Sequence, residues 1–206
     1  FNFDAENEAA KKINRNVDFR RALSLAIDRQ AISRTLAFDL MTPIGAAWAP
    51  DSPYFDEKSG YLYSEYDPEK AKKILDDANI IDRDNDGVRE LPSGEKLELI
   101  WDMYAHDLYT PMSEMIVETV KEVGINLILN EKHQTLHNKN FTSGNFELST
   151  HDFESYNEPL LMIDKWIPTK PGSPNFHVKA YEKGGFSSEY NEFTRLLKQA
   201  NTTSIE

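Results

Sequence analysis

The sequence predicts an α/β fold, a mixed sheet flanked by helices, and three patterns carry that expectation. Met112, Met115, Ile116, Val120 and Val123 recur at helical spacing and run into Gly124, after which Ile125 to Lys132 reads as a strand. A helix, a glycine and a strand in quick succession is the rhythm of a sheet with crossover helices. Upstream, Phe19, Ala22, Leu23, Ala26 and Ile27 fall at i, i+3, i+4, i+7 and i+8, the stripe of an amphipathic helix. Leu97, Leu99 and Trp101 alternate as a strand does.

Composition sets the bounds. The chain has 206 residues, 39% of them hydrophobic and 11% aromatic, enough to bury a core in one sizeable domain. The net charge of −12 argues against a nucleic-acid partner, which would require a basic stripe. The absence of cysteine excludes a disulfide framework, a thiolate zinc site and a cysteine nucleophile together. No apolar run reaches transmembrane length. Phe1 opens onto a polar, acidic stretch rather than a signal sequence, so the chain reads either as cytosolic or as a mature or excised piece of something longer.

Taken in order, residues 1–16 are polar and helix-prone without a clean apolar face, a lead-in segment. The helix carrying Phe19 has Asn16 or Asp18 as its cap. Residues 42–66 combine Pro43, Pro50 and Pro53 with six aromatics. The prolines exclude a long helix and the rings a disordered linker, which leaves a packed loop. Asp67-Pro68-Glu69 opens a helix with Asp67 as N-cap, Pro68 in the first turn and Ala71, Ile74, Leu75 and Ala78 facing inward. An acidic turn from Asp82 to Gly87 and a turn at Ser93-Gly94 precede the strand of Trp101. Thr110-Pro111 starts the next helix, which Gly124 ends. Residues 145–150 read as a further strand. Residues 158–185 are irregular, and Ser188 caps a last helix carrying Tyr190, Phe193, Leu196 and Leu197.

Six segments resemble the family 5 bacterial solute-binding proteins, the oligopeptide, dipeptide and nickel binders of ABC importers. They are the helix Asp18-Phe19-Arg20-Arg21-Ala22-Leu23-Ser24-Leu25-Ala26-Ile27-Asp28-Arg29, the start Tyr66-Asp67-Pro68-Glu69-Lys70-Ala71-Lys72, and the acidic turn Asp82 to Glu90. Further on come the join Val120-Lys121-Glu122-Val123-Gly124-Ile125, the stretch Ser143-Gly144-Asn145-Phe146-Glu147-Leu148, and Tyr156-Asn157-Glu158-Pro159. Each is weak alone; their occurrence in the family's order gives the resemblance its weight.

The resemblance implies one lobe of the periplasmic-binding-protein type II fold. Residues 1–206 form a single domain, in which 17–200 correspond to the second ligand-binding lobe of a larger two-lobed protein. It further implies an extracytoplasmic binding protein, periplasmic or a cell-surface lipoprotein, rather than an enzyme. Its partners are an oligopeptide ligand, a membrane permease and the missing first lobe of the same chain. No cofactor is expected.

Candidate ligand contacts follow from residue type and from where open α/β sheets bind, beyond the C-terminal ends of their strands. Asp152, Phe153, Glu154, Ser155, Tyr156 and Asn157 form a polar and aromatic cluster just past the strand of 145–150. A capped, solvated loop is the plain alternative. Trp48, Trp101, Tyr104 and His106 join them as cleft candidates, although core or rim is the default for any aromatic. In peptide-binding relatives an aspartate precedes the Tyr-Asn-Glu-Pro run and holds the peptide ammonium, whereas here Ser155 stands there. A hydroxyl cannot supply that charge-assisted bond. Either Asp152, Glu154 or the other lobe supplies the charge, or the ligand lacks an amine, which points to an oligosaccharide.

Catalysis and metals find less support. Asp82, Asp84, Asp86 and Gly87 open like a calcium loop, but Ser93 occupies the twelfth position, where an EF-hand places a bidentate glutamate. Glu90, at the ninth, compensates in part. A plain acidic turn is the expectation, and the three aspartates are secondary metal candidates. His133 and His137 lack the glutamate of a zinc-hydrolase motif between them. No nucleophile elbow or phosphate loop appears. A glycoside hydrolase would need two carboxyl groups facing each other across a cleft, and nothing in the sequence pairs them.

Overall fold

The computed structural model describes residues 1–45, 50–150 and 188–202. Among the described residues the sheet has three strands in the order β2-β1-β3, with β1 at Glu98–Tyr104, β2 at Asn126–Lys132 and β3 at Leu148–Ser149. Both pairings are parallel, with Leu99 opposite Leu127, Asp102 opposite Asn130 and Trp101 opposite Leu148. The sheet anticipated as mixed is therefore parallel throughout its described strands. Among the described residues, antiparallel pairing is confined to isolated bridges from Glu90 to Ile81 and Lys96.

The helices follow capping chemistry closely. Residues 1–16 carry α1, Glu8–Arg15, capped by the Asn7 side chain. Asn16 ends α1 and caps α2, Val17–Leu25, by accepting from the backbone N–H groups of Asp18 and Phe19. The stripe read through to Ile27 crosses a break: α2 stops at Leu25, and Asp28 caps a separate α3, Arg29–Ala37. The short α4, Glu57–Gly60, sits within the proline-rich loop. Asp67 caps α5, Pro68–Asp77, through the Lys70 N–H, with proline in the first turn as predicted. Next come α6, Tyr109–Lys121, and α7, Gln134–Ser143; the last helix, α8, spans Ser188–Thr202.

One hydrophobic cluster joins these parts. Phe19, Ala22 and Leu23 of α2 and Ala71 and Leu75 of α5 share it with Leu99, Leu127 and Leu148 of the sheet and Val120 of α6. Val123 and Ile125, on either side of Gly124, are fully enclosed, so the helix-to-strand join is itself core. Gly124 is left-handed at φ +82°, and a Cβ there would stand 2.7 Å from Arg89 Cγ. Glycine is required both for its conformation and for that approach.

Polar side chains lock the periphery. The Arg29 guanidinium donates to the Ser24 carbonyl at 2.7 Å and to its hydroxyl at 2.8 Å, and that hydroxyl donates to the Tyr63 carbonyl. Burial lowers the pKa of Arg29 from its usual range. At the opposite edge, the Asn14 amide donates to the carbonyls of Asn2 and Glu147, and Asn2 donates to those of Gly144 and Phe146. Residues 1–16 are thereby docked against the segment that leads into β3.

Candidate functional site

Parallel strands bring their C-terminal ends to one edge of the sheet, and the loops leaving that edge carry the candidate site. β1 delivers Tyr104 there, and the following turn delivers His106. The turn is held by the Leu108 N–H, which donates to His106 Nδ1 at 3.2 Å, and by the Thr110 N–H, which donates to the His106 carbonyl at 3.1 Å. The exposed His106 ring consequently stacks on Tyr109 with centroids 4.3 Å apart. Tyr104 meets His106, Tyr109 and His137 at 6.1, 5.7 and 5.2 Å. The Thr110 hydroxyl donates to Glu131 at 3.1 Å, tying the start of α6 to the end of β2.

His133 and His137 do not converge on a metal. His133 caps α7 by accepting from the Thr135 N–H, whereas His137 is buried beside Tyr104 and stacks on Phe141. His137 Nε2 lies 2.9 Å from the Ser149 hydroxyl, a contact of nucleophile–base length. Its other ring nitrogen meets the Asn138 amide oxygen at 3.5 Å rather than a carboxylate. The contact pins α7 to β3 and lacks the orienting acid of a triad.

Trp101 lies on the sheet face that joins the core, and its indole N–H donates to Thr150 Oγ1 at 2.9 Å. It therefore anchors the chain where it leaves β3. Behind the edge, on the opposite face, is a polar cleft of about 270 Å3 lined by Asp102, Asn130, Lys132, Asn140, Phe146 and Glu147, among others. Asp102 is buried, forms an ion pair with Lys132 and accepts from the Asn130 amide at 2.8 Å, while its carbonyl accepts from the Thr150 N–H at 3.1 Å. Glu147 accepts from the Ile100 N–H and the Asn7 amide, each at 2.7 Å.

Of the residues singled out from sequence, the structure brings Tyr104 and His106 together and sets Trp101 nearby on the other face. Trp48 and the cluster Asp152, Phe153, Glu154, Ser155, Tyr156 and Asn157 lie outside the described residues. Tyr109, Glu131 and the Asp102–Lys132 pair were not anticipated. Tyr109 belongs to the first turn of α6 and Glu131 is reached by Thr110 of the same turn, whereas Asp102 and Lys132 meet through strand register. The arrangement offers ring faces for stacking and a rim of hydrogen-bonding groups, the equipment of a binding wall.

Comparison with known proteins matches this architecture. The model of the bacterial extracellular solute-binding proteins, family 5 middle region, matches residues 1–166. A periplasmic alpha-galactoside-binding protein of Rhizobium meliloti (strain 1021) is 26% identical over 194 residues, which cover 88% of this chain and 27% of that protein. An oligopeptide-binding protein OppA superposes with a TM-score of 0.84 at 24% identity, over 98% of this chain and 35% of that one. The periplasmic binding protein MelB of Agrobacterium fabrum, in complex with stachyose, gives a TM-score of 0.77 at 18% identity, over 96% and 31%. The chain thus spans between about a quarter and a third of the length of these relatives, all of which are binding proteins rather than enzymes.

Proposed function

Since the chain belongs to the bacterial extracellular solute-binding proteins of family 5, we propose that it is part of the substrate-binding component of an ABC importer that captures oligopeptides. The family match over residues 1–166 carries this reading. Residues 17–200 act as the second lobe of a clamp whose other lobe lies elsewhere in the protein, outside the cytoplasm. Solute bridges the lobes, and the closed form is favoured because only it makes contacts to both. The closed protein then presents its cargo to a membrane permease. Tyr104 and His106 line this lobe's wall, with Trp48, Asp152, Phe153, Glu154, Ser155, Tyr156 and Asn157 completing it, while Trp101 holds the chain at Thr150. Peptide is supported by the run Tyr156-Asn157-Glu158-Pro159 and by the likeness to OppA.

A second reading, an oligosaccharide ligand, has its own support. Ser155 offers no charge to a peptide ammonium, the exposed His106 ring stacked on half-buried Tyr109 suits a sugar ring, and two of the relatives bind alpha-galactosides or stachyose. Native mass spectrometry of the complete protein, purified without refolding, separates the two. Bound masses spaced by amino-acid residues establish peptide, and masses spaced by hexoses establish sugar. A protein that carries neither, and takes up neither from peptide and oligosaccharide mixtures in calorimetry, refutes the binding reading.

A further inference from the structure

The acidic turn after α5 stands apart from the strand-end site. Asp82, Asp84, Asp86 and Glu90 each place a carboxylate oxygen within 4.8 Å of the others. Three of them come from one loop at alternate positions. Glu90 arrives by a different route: its N–H donates to the Ile81 carbonyl at 3.0 Å, which folds the chain back and aims its side chain at the loop. That side chain is only 8% exposed, yet its Oε1 has no hydrogen-bond partner. The inner oxygen of Asp82, Oδ1, is likewise buried without one. Their companion oxygens are occupied, Glu90 Oε2 by the Arg83 N–H at 2.7 Å and Asp82 Oδ2 by the Gly87 N–H at 2.9 Å. Two buried carboxylate oxygens of the cluster's own residues thus lack a hydrogen-bond donor. Leaving a buried acceptor unsatisfied is costly, more so when it is charged.

We propose that this turn is a calcium site, with Asp82, Asp84, Asp86 and Glu90 as its carboxylate ligands. The donor set is all oxygen, as a hard divalent cation requires, and the waters that calcium retains complete its shell of six to eight. Four carboxylates meet two nearby cations, Lys96 and Arg83. The remaining two negative charges match one divalent ion. Lys96 pairs with Asp86 and stands 3.6 Å from Asp84, on the exposed side, so its ammonium balances the outer carboxylates and leaves the inner oxygens unmet. Glu90, at the ninth position, takes the place of the glutamate missing from the twelfth. The tertiary fold rather than loop length brings it there. Arg89, next to Glu90, donates to the carbonyls of Val123 and Ile80 at 2.8 and 2.6 Å, so an ion here staples α5 to the α6–β2 join.

The test is calorimetric titration of the chelator-stripped chain with CaCl2, with MgCl2 in parallel, together with thermal unfolding in calcium and in EDTA. One calcium per chain and a rise in Tm are expected, with magnesium binding more weakly. Asp84→Asn, at an exposed ligand, should fold normally and weaken calcium by about tenfold or more. Glu90→Gln keeps an acceptor for the Arg83 N–H and removes the charge, and should weaken calcium at least as much while circular dichroism is unchanged. No saturable heat and no Tm shift at about 10 mM CaCl2, above the range in which extracellular calcium modules bind, overturns the proposal. So does calcium binding that Asp84→Asn leaves intact.

Discussion

Removing the Asp102 carboxylate tests how the candidate edge is built. Asp102 is buried beneath the polar cleft, with its side chain 4% exposed and that of its partner Lys132 16% exposed. Its carboxylate takes both the Lys132 ammonium and the Asn130 amide. Asp102→Ala strands a mostly buried ammonium and an amide, and breaking such a pair from one side costs about 3–5 kcal/mol. For a chain of this size that corresponds to a loss of roughly 6–20 °C in Tm. Replacing both partners, as Asp102→Leu with Lys132→Met, removes the uncompensated charge and should recover most of the loss, because apolar replacement of a buried pair is often neutral. Urea unfolding followed by circular dichroism, run as a double-mutant cycle, measures each change. A single-mutant loss below about 1 kcal/mol, the level of an exposed pair, refutes the claim that the pair is buried and organising. A double variant no better than the singles refutes the assignment of the cost to a stranded charge.

Three further outcomes follow from particular contacts. Asn14→Ala removes the donor shared by the Asn2 and Glu147 carbonyls and should cost about 1–3 kcal/mol, with faster amide exchange at Asn2, whose N–H is bonded to Glu147. Gly124→Ala meets both a left-handed φ and the Arg89 side chain, and should destabilise by roughly 1–3 kcal/mol, read as a lower urea midpoint at unchanged slope. The exposed pair of Glu65 and Lys70 sets a modest pH dependence. The hydrogen bond from Lys70 holds the Glu65 carboxyl below its usual range, and the same bond raises Lys70. The Glu65 contribution is present above the unfolded pKa of about 4.3 and is lost as pH falls through the lower folded value. The Lys70 contribution is present below about 10.4 and is lost as pH rises through the higher folded value. The Tm difference between the protein and Lys70→Met should therefore be flat across neutral pH and vanish at both extremes.

Much of the architecture was legible because it is written locally. Asp67 and Pro68 start α5, Asn16 starts α2, and Gly124 turns α6 into β2, each through a cap or a backbone angle set by its immediate neighbours. The break between α2 and α3 was hidden because Ala26 and Ile27 continue the apolar stripe, although the last i→i−4 bond of α2 is from the Ala26 N–H to the Ala22 carbonyl and Ile27 already bonds to Ser24. α7 carries one buried side chain, His137, so periodicity gave no sign of it. Of the strand expected over 145–150, only Leu148 and Ser149 pair.

The sequence by itself determined the acidic, cysteine-free α/β character of the chain, the capped starts of α2 and α5 and the order of motifs that matches the family. The tertiary structure decided which distant side chains meet. Asp102 finds Asn130 and Lys132 only in the parallel register of β1 and β2, and Glu90 reaches the aspartate loop only because its backbone pairs with Ile81. Caps and periodicity act over a few residues, whereas register is fixed by burying Leu99 and Leu127 on one face, and a slip of one residue would reverse every side chain.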